Sequence, residues 1–318
     1  MAGYGFRGHI GIAQETVWGT AVGASDYVEA LSESIVTDIE RFDVRNVFAG
    51  MYEPDDETGI VRHSGDLVVP AHPVSIGYFL DGALGIASGT EVLSGFLHTT
   101  EFTALTSDWG SLNAVPGYTL EIFRDVTSSM QYKGCQFNTL ELSVAPNQEL
   151  RATINVIAQT RAGLTATSPS FPGSPAGVFK FDTASLSLGG SAIARCENFT
   201  FSIDNQLEGV PVLNASTDVA RIQRTGPQLI RLGGTMAFDD ITDFNSFVNQ
   251  TEQALVITFT KANSFSMSLD FPRTVFTSFP QQITGRDRLT VDFDMKALYH
   301  TGSSSAMKAT LTTVNSYS

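Results

Sequence analysis

The 318-residue chain has only two cysteines, Cys135 and Cys196, which excludes a small secreted module held together by several disulfides. We expect both to be free, partly buried thiols. The first residues, MAGYGFR, lack the apolar stretch of a secretory signal peptide. No run of the sequence approaches the roughly 18 apolar residues that a membrane-spanning helix needs, so we expect no membrane association.

Basic residues are also few, because 19 Lys and Arg stand against 33 Asp and Glu, which gives a formal net charge of −14. A surface of this charge repels nucleic acid, so a role that depends on gripping DNA is disfavoured. A role beside DNA, as a wall to which DNA must not adhere, stays open. Apolar residues make up 42% of the chain, which is enough for a sizeable core and argues against global disorder.

The sequence also lacks patterns that carry chemistry. No two of its histidines have the i, i+4 spacing of a helical zinc site, and neither cysteine lies near a histidine. A nucleophile elbow, a phosphate-binding loop and an HExxH motif are all missing. Asp292 and Asp294 share one strand face, but a solvated polar face explains that pair better than a catalytic dyad. We therefore expect no catalytic residue, metal or cofactor, and a structural role rather than an enzyme.

The sequence is rich in short stretches in which apolar and polar residues alternate, the pattern of half-buried β-strands. Two of these stretches, residues 152–159 and 289–296, align without a gap, so that Thr290 lies 137 residues after Thr153. Residues 118–124 and 255–261 align with the same spacing of 137 residues. A shared spacing in separate segments predicts an internal duplication, and chance similarity between strands is the alternative.

The pattern predicts a mainly β protein made of two copies of a β-sandwich or small barrel, each with one short flanking helix. Strands are predicted at residues 27–47, 61–69, 96–102, 118–123, 137–144, 152–158, 199–203, 230–238, 255–261, 289–296 and 309–314, and helices at residues 73–84 and 240–250. The predicted organisation is an N-terminal arm (1–26), a first repeat (27–164), a Ser/Pro/Gly-rich linker (165–177), a second repeat (178–300) and a polar C-terminal tail (301–318).

One block resembles a known family. Residues 9–21, HIGIAQETVWGTA, resemble the GIA-x-E-x-x-x-GT-A opening of the tail tube (major tail) proteins of long-tailed, non-contractile phages. Residues 96–102, FLHTTEF, are similar to an aromatic-His-Thr segment of many of these proteins, and the remaining chain resembles them in strand–helix–strand order. The resemblance implies a β-sandwich with a flanking helix, six of which form a ring whose inner strands join into one barrel.

The resemblance further implies a structural virion protein, assembled in the host cytoplasm, whose rings stack into a tail tube with an acidic channel for DNA. Two folds per chain predict a trimeric ring with pseudo-sixfold symmetry, whereas one fold with an elaborated outer domain would give a true hexamer. The implied partners are further copies of the chain, tape-measure, tail-tip and tail-terminator proteins, and genomic DNA in transit without specific binding.

Two sets of residues are candidates for this role. The lumen-facing candidates lie on polar strand faces and are Thr153, Asn155, Asp292, Asp294, Glu141, Asp204 and Asp270. The candidates for ring-to-ring contact lie in two loops and are Glu53, Asp55, Asp56, Glu57, Asn214 and Asp218. The alternatives are that some of these faces point outward and that the loops are merely solvated.

Two other classes of function stay open. One is another virion ring or decoration protein, such as a tail terminator or a capsid decoration protein, which would share the acidic β composition. The other is an adhesive, carbohydrate-binding β-sandwich, which would need an exposed aromatic platform; Trp18 and Trp109 both lie in loop-like surroundings. The repeated unit and the two long loops favour a stacking tube.

Overall fold

The computed structural model describes residues 3–43, 56–93, 97–103, 115–165, 167–171, 177–261, 265–281, 288–315 and 317. Over these residues the chain is mainly β, as predicted, with two short α-helices.

The strands are β1 (His9–Gln14), β2 (Asp26–Val28), β3 (Ser32–Glu33), β4 (Val36–Asp43), β5 (Asp56–Pro70), β6 (Ile86–Leu93), β7 (Leu97–Thr103), β8 (Tyr118–Phe123), β9 (Ser128–Val144), β10 (Arg151–Ala158), β11 (Thr160–Thr165), β12 (Ala184–Leu188), β13 (Ser191–Ala192), β14 (Cys196–Asp204), β15 (Leu207–Val210), β16 (Arg221–Arg224), β17 (Leu229–Ala237), β18 (Gln253–Thr260), β19 (Ser266–Ser278), β20 (Thr290–Ala297) and β21 (Lys308–Thr313). The helices are α1 (Ile76–Leu84) and α2 (Thr242–Val248), and 3-10 turns lie at Gly5–Arg7 and Phe181–Thr183.

Eight strands form one continuous antiparallel sheet, here called the main sheet, in the order β4-β5-β10-β9-β14-β17-β20-β19. Most of these strands alternate between a buried and a partly exposed face, whereas the edge strand β4 has no buried residue. In β10, for example, Ala152 and Ile154 are buried whereas Thr153 and Asn155 are partly exposed. This period of two gives the main sheet one apolar face toward the core and one polar face.

The long strands β9 and β19 each belong to two groups of strands. Their C-terminal halves lie in the main sheet, whereas their N-terminal halves pair with β8 and β11 and with β18 and β21, respectively. The flanking groups continue from β8 to β1 and β2, from β18 to β12 and β13, and from β21 to β7 and β6. One contiguous core joins side chains of both groups, and β15 and β16 form a separate hairpin.

Helix α1 packs on β9, and α2 packs on β19. Eight of the nine residues of α1, all except Tyr78, are buried, so this helix is covered by the core on nearly every side, as its largely apolar sequence predicts. Gly82 allows the close approach to β9, because a Cβ atom there would lie 2.2 Å from Cδ2 of Phe137. Among the described residues, no helix is long and apolar enough to cross a membrane.

Several segments differ from the sequence-based expectations. Within the expected arm, His9–Gln14 forms a strand that is buried on both faces, so its sequence does not alternate. The loop that carries the ring-to-ring candidates Asp56 and Glu57 belongs from Asp56 onward to β5. Strand β6 was not predicted, although the strand at residues 96–102 with which it pairs was. Strand β21 of the expected tail lies between β19 and β7.

Candidate functional site

The polar face of the main sheet is an ordered array of side chains whose rows cross the strands. One row contains Asp66, Asn155, Thr139 and Asp204. The next contains Val68, Thr153, Glu141, Ser202, Arg231 and Lys296, and a third contains Arg151, Ser143, Thr200, Gly233 and Asp294. Asp292 lies beside Thr235 one row further.

The main sheet therefore brings six of the seven lumen-facing candidates onto one face. The seventh, Asp270, lies elsewhere, because it is in the N-terminal half of β19 between Val256 of β18 and Lys308 of β21. Partial burial raises the pKa of Asp270 above its ordinary value, and the nearby Lys308 opposes this effect. Sequence reasoning missed Asp66, although the alternation in β5 places it on this face.

The face is polar with a small acidic excess rather than uniformly acidic. Its carboxylates are those of Asp66, Glu141, Asp204, Asp292 and Asp294, and its cations are those of Arg151, Arg231 and Lys296. The Arg151 guanidinium is paired with the neighbouring carboxylate of Glu149, with Nε 2.8 Å from Oε1. Fixed charges of both signs at short spacing reduce the electrostatic potential above this face, and the acidic excess leaves that potential negative.

Hydrogen bonds across the strands hold some of these side chains in place. Asn155 donates from Nδ2 to Oδ1 of Asp66 at 2.7 Å, and Thr235 donates from Oγ1 to Oδ1 of Asp292 at 2.6 Å. The side chain of Asn198 completes this second group by accepting from the backbone N–H of Thr235 at 2.9 Å. These contacts use amide and hydroxyl groups as donors, so they position the carboxylates without neutralising their charge.

The two loops proposed for ring-to-ring contact have different surroundings. Glu53 and Asp55 lie outside the described residues, whereas Asp56 and Glu57 begin β5, with Asp56 ion-paired to Arg41 of β4. The loops belong to two hairpins, β4–β5 and β15–β16.

The loop of the second hairpin is partly docked on its own chain. The backbone N–H of Val61 in β5 donates to the carbonyl of Thr217 at 2.9 Å, and the Asp218 carboxylate lies 3.9 Å from Nε2 of His63. Asn214 remains exposed at the tip of this loop.

The main sheet ends in two strand edges. Within the described residues, β4 pairs on one side only, with β5, and residues 275–278 of β19 pair on one side only, with β20. The edge strand β4 carries exposed Val36, Ile39 and Phe42. An edge with unpaired backbone groups and exposed apolar side chains favours pairing with another chain, so these edges are candidate subunit interfaces.

The sequence of this mainly β chain matches the model of one protein family. The model described as "Phage tail tube protein" matches residues 5–313. The chain belongs to the phage tail tube protein family. As a tail tube protein it is a non-enzymatic structural component of the virion tail, assembled in the host cytoplasm, and it self-assembles into a tube. A comparison with curated proteins finds no significant match.

The block that resembles the family has a structural role in this tail tube protein. The buried carboxylate of Glu15 accepts hydrogen bonds from the Thr119 hydroxyl at 2.8 Å and from the backbone N–H groups of Gly19 and Gly134 at 2.7 and 2.8 Å. It therefore fastens the turn after β1 to β8 and to a bend of β9. Gly134 has a φ of +63°, a conformation that favours glycine.

Proposed function

We propose that three chains of this tail tube protein close into a ring, that the rings stack, and that the polar face of the main sheet lines a channel for DNA. The observation that carries the proposal is that the main sheet contains eight strands and ends in one free edge on each side within the described residues. Joining the edges of neighbouring chains would satisfy both edges and remove them from solvent.

A duplicated chain is part of this proposal, and the order of strand pairing supports it. The pairings β5-β10-β9 have a counterpart in β17-β20-β19. β8 and β11 flank β9 as β18 and β21 flank β19, and β1 and β2 follow β8 as β12 and β13 follow β18. Helix α1 packs on β9 as α2 packs on β19.

Irregularities in the ladders support the duplication further and define its alignment. β9 has one register shift between Tyr132 and Cys135, and β19 has one between Phe271 and Thr274. A second shift adjoins Thr139 in β9, and another adjoins Ser278 in β19. If the shifts correspond, Cys135 is equivalent to Thr274 and Thr139 to Ser278, and each pair is 139 residues apart.

This spacing differs by two residues from the spacing of 137 seen in the sequence, so Asn155 corresponds to Asp294 rather than to Asp292. Because the difference is even, each residue keeps its face. We propose repeats that are larger than the sequence suggested, with the 3-10 turns Gly5–Arg7 and Phe181–Thr183 at their starts and β11 and β21 at their ends. The segment between β11 and the second turn contains the linker.

The proposed number of chains rests on two folds per chain, because the family resemblance implies six folds in a ring. Three chains with eight strands each would give a barrel of about 24 strands. At a strand spacing of about 4.8 Å its circumference is about 115 Å and its diameter about 37 Å, and strand tilt increases both values. Six chains would double the circumference. Six of the lumen-facing candidates, together with Asp66, would then line the channel, and Asp270 would lie outside this lining.

Stacking would use the hairpins β4–β5 and β15–β16, which carry the ring-to-ring candidates. Exposed Asn214 is the best placed of the described ones. The tape-measure, tail-tip and tail-terminator proteins would contact the channel and the two ends of the tube. DNA would pass without specific binding, because the acidic excess of the polar face repels phosphates.

Electron microscopy of the purified protein at high concentration, with averaging of end-on views, tests this proposal. We expect hollow tubes or stacked rings and a ring mass of three chains by native mass spectrometry. A ring of six chains would refute the trimer, and small particles alone, even after addition of the tail-tip complex, would refute the tube.

The position of the polar face is tested with Asp294→Cys, an exposed position on that face. In assembled tubes we expect a small maleimide to label this cysteine and a bulky polymer-linked maleimide to label it much more slowly than in the unassembled chain. Equal rates of bulky labelling in the two states would place the face outside.

A further inference from the structure

Two grooves in the chain are lined by equivalent positions of the two repeats. The first groove has a volume of about 660 Å³ and lies between the start of β1, the connection from β2 to β3, the end of β8 and Phe171 of the segment that follows β11. The second has a volume of about 220 Å³ and lies between the start of β12, the start of β14 with the connection before it, and β18. We call them the open groove and the filled groove.

The equivalence follows from the strand registers. Ile10 pairs with Ile122 and Val28 in the first repeat, as Leu186 pairs with Ile257 in the second. The residues that line the open groove at Gly5, Gly8, His9, Ile10, Val28, Ser32 and Ile122 correspond to Phe181, Ala184, Ser185, Leu186, Ile193, Asn198 and Ile257 of the filled groove.

The filled groove contains one element that the open groove does not have. Val144 and Ala145, at the end of β9, line it, and they come from the other repeat. They arrive there because β9 pairs with β14, the strand that joins the two halves of the main sheet. The open groove is lined by Ser32 and Glu33 of β3, which pairs with β5 on the same side as β4. The edge formed by β3 and β4 corresponds to β14, and within the described residues no strand of the same chain pairs along it.

We propose that the open groove is the seat for a second copy of this chain, namely for the part that follows β19, the counterpart of the end of β9. This inference rests on the proposed ring and adds its register. The chain's own contact in the filled groove is the template, and it explains why the open groove is the larger of the two.

The template fixes which residues would face each other. Within the chain Thr139 of β9 pairs with Asp204 of β14, and Leu142 pairs with Phe201. The residue equivalent to Thr139 is Ser278. Ser64 of β5 corresponds to Arg231 of β17, because Asp66 pairs with Asn155 as Gly233 pairs with Asp294. Ser64 pairs with Val36 and Arg231 pairs with Ser202, so equivalent residues of β4 and β14 are 166 positions apart. Asp38 would therefore pair with Ser278 of the neighbouring copy.

The open groove has an exposed apolar side chain and a buried polar atom without a hydrogen-bond partner among the described residues, as expected of a contact surface that lacks its partner. Leu31 at its rim is 52% exposed, and Ile10 and Ile122 lie on its floor. The His9 side chain also lines the groove, and its Nε2 atom is buried and has no hydrogen-bond partner among the described residues. A neighbouring backbone laid along the groove would cover Leu31 and bring polar groups within reach of His9.

Disulfide cross-linking tests the register. In a Cys196→Ser background, the pair Asp38→Cys and Ser278→Cys brings two cysteines to directly opposite positions, where Cβ atoms are about 4.5–5.5 Å apart. We expect oxidation of assembled tubes to give covalent dimers and trimers on a non-reducing gel. The matched control pairs Asp38→Cys with Gln281→Cys. Gln281 lies three residues, or about 10 Å, beyond Ser278 along the chain, so this pair should not cross-link.

Tubes that form normally without the Asp38–Ser278 cross-link would overturn the register and leave the tube proposal intact. Failure of every variant and of the wild type to form rings would overturn both. A cross-link in the control pair alone would show a shifted register and would also refute the inference.

A second pair of variants tests the groove itself. Leu31→Arg places a charge at the groove, and Val126→Arg places one at an equally exposed apolar residue, also 52% exposed, in the turn between β8 and β9. We expect both variants to melt like the wild type as unassembled chains, and only Leu31→Arg to lose tube formation at concentrations that suffice for the wild type. Normal assembly of Leu31→Arg would refute the seat.

Discussion

The most quantitative prediction concerns Asp81, a buried carboxylate of helix α1. Its side chain is 2% exposed, and its Oδ2 accepts hydrogen bonds from Nε2 of Gln14 at 2.9 Å and from the hydroxyl of Tyr118. Burial raises the pKa of Asp81 from 3.8 to about 6, although the Tyr118 hydrogen bond opposes the change by favouring the charged form.

The sign and size of the effect on stability follow from this pKa. The folded state binds the proton more tightly than the unfolded state, so the favourable contribution is complete below pH 3.8 and is lost as the pH rises through about 6. A difference of about two pKa units corresponds to roughly 3 kcal/mol of unfolding free energy. Asp81→Asn keeps an acceptor for Tyr118 and removes the titration.

Urea unfolding of the unassembled chain at several pH values measures this effect. Relative to the wild type, the Asp81→Asn variant should gain about 3 kcal/mol of unfolding free energy between pH 4 and pH 7, with most of the change between pH 4 and pH 6. The matched control, Asp294→Asn at an exposed position, should show little change. A stability difference between Asp81→Asn and the wild type that does not vary with pH would refute the reasoning.

Three further predictions concern the core and are measured by chemical denaturation. Gly82→Ala drives a Cβ atom into a packed aromatic ring and should cost about 1–3 kcal/mol, whereas Gly163→Ala, with open space around it, should cost much less; equal costs would contradict the packing argument. Phe201→Ala removes a fully buried ring from β14 and should cost about 3–5 kcal/mol, and a cost below 1 kcal/mol would show that the site collapses. Tyr317→Phe loses a buried 2.8 Å hydrogen bond to the Val74 carbonyl and should cost about 1 kcal/mol, so an unchanged stability would mean that this contact contributes nothing.

Half-buried strands were the part of the fold that the sequence predicted well. β8 was predicted with its observed bounds, and β10, β17 and β20 were predicted to within one residue at either end. Each of these strands has a core face, and in β10, β17 and β20 the other face is polar, so period-two alternation is visible in the sequence. Helix α1 was predicted from apolar Val74, Tyr78 and Leu84 at helical spacing, from Pro73 in the first turn and from Gly85 after the last, although Tyr78 is the one residue of α1 that is not buried.

Other strands were missed, two of them for lack of a local pattern and one in spite of it. β1 is buried on both faces and therefore has no alternation, and the N-terminal half of β9 mixes buried polar and apolar residues. β19 does alternate, at Met267, Leu269 and Phe271, and this signal was overlooked.

The candidate site was predictable only in part, for the same physical reason. Six polar residues could be assigned to strand faces from period two alone, but their common face depends on pairings such as β9 with β14 that join distant segments. Under the proposed duplication, the spacing of 137 seen in the sequence differs by two residues from the spacing of the ladder irregularities, because strands of one face remain similar when shifted by two. The open groove combines residues from four separate segments, so no local pattern could indicate it.

The pairing of β9 with β14 inside one chain has a consequence for how a ring of three chains would form. Such a ring would have six seams, that is, places where main-sheet strands of adjacent repeats pair. Half of the seams would close within a single molecule, where residues 145–195 connect β9 to β14 and keep the effective concentration of the two strands in the millimolar range. Only the other three seams would depend on the number of free chains in the cell. Damage to the two kinds of seam would then look different: a substitution between β9 and β14 would lower the yield of folded protein, whereas its counterpart at β4 or β19 would leave folded chains that fail to polymerise.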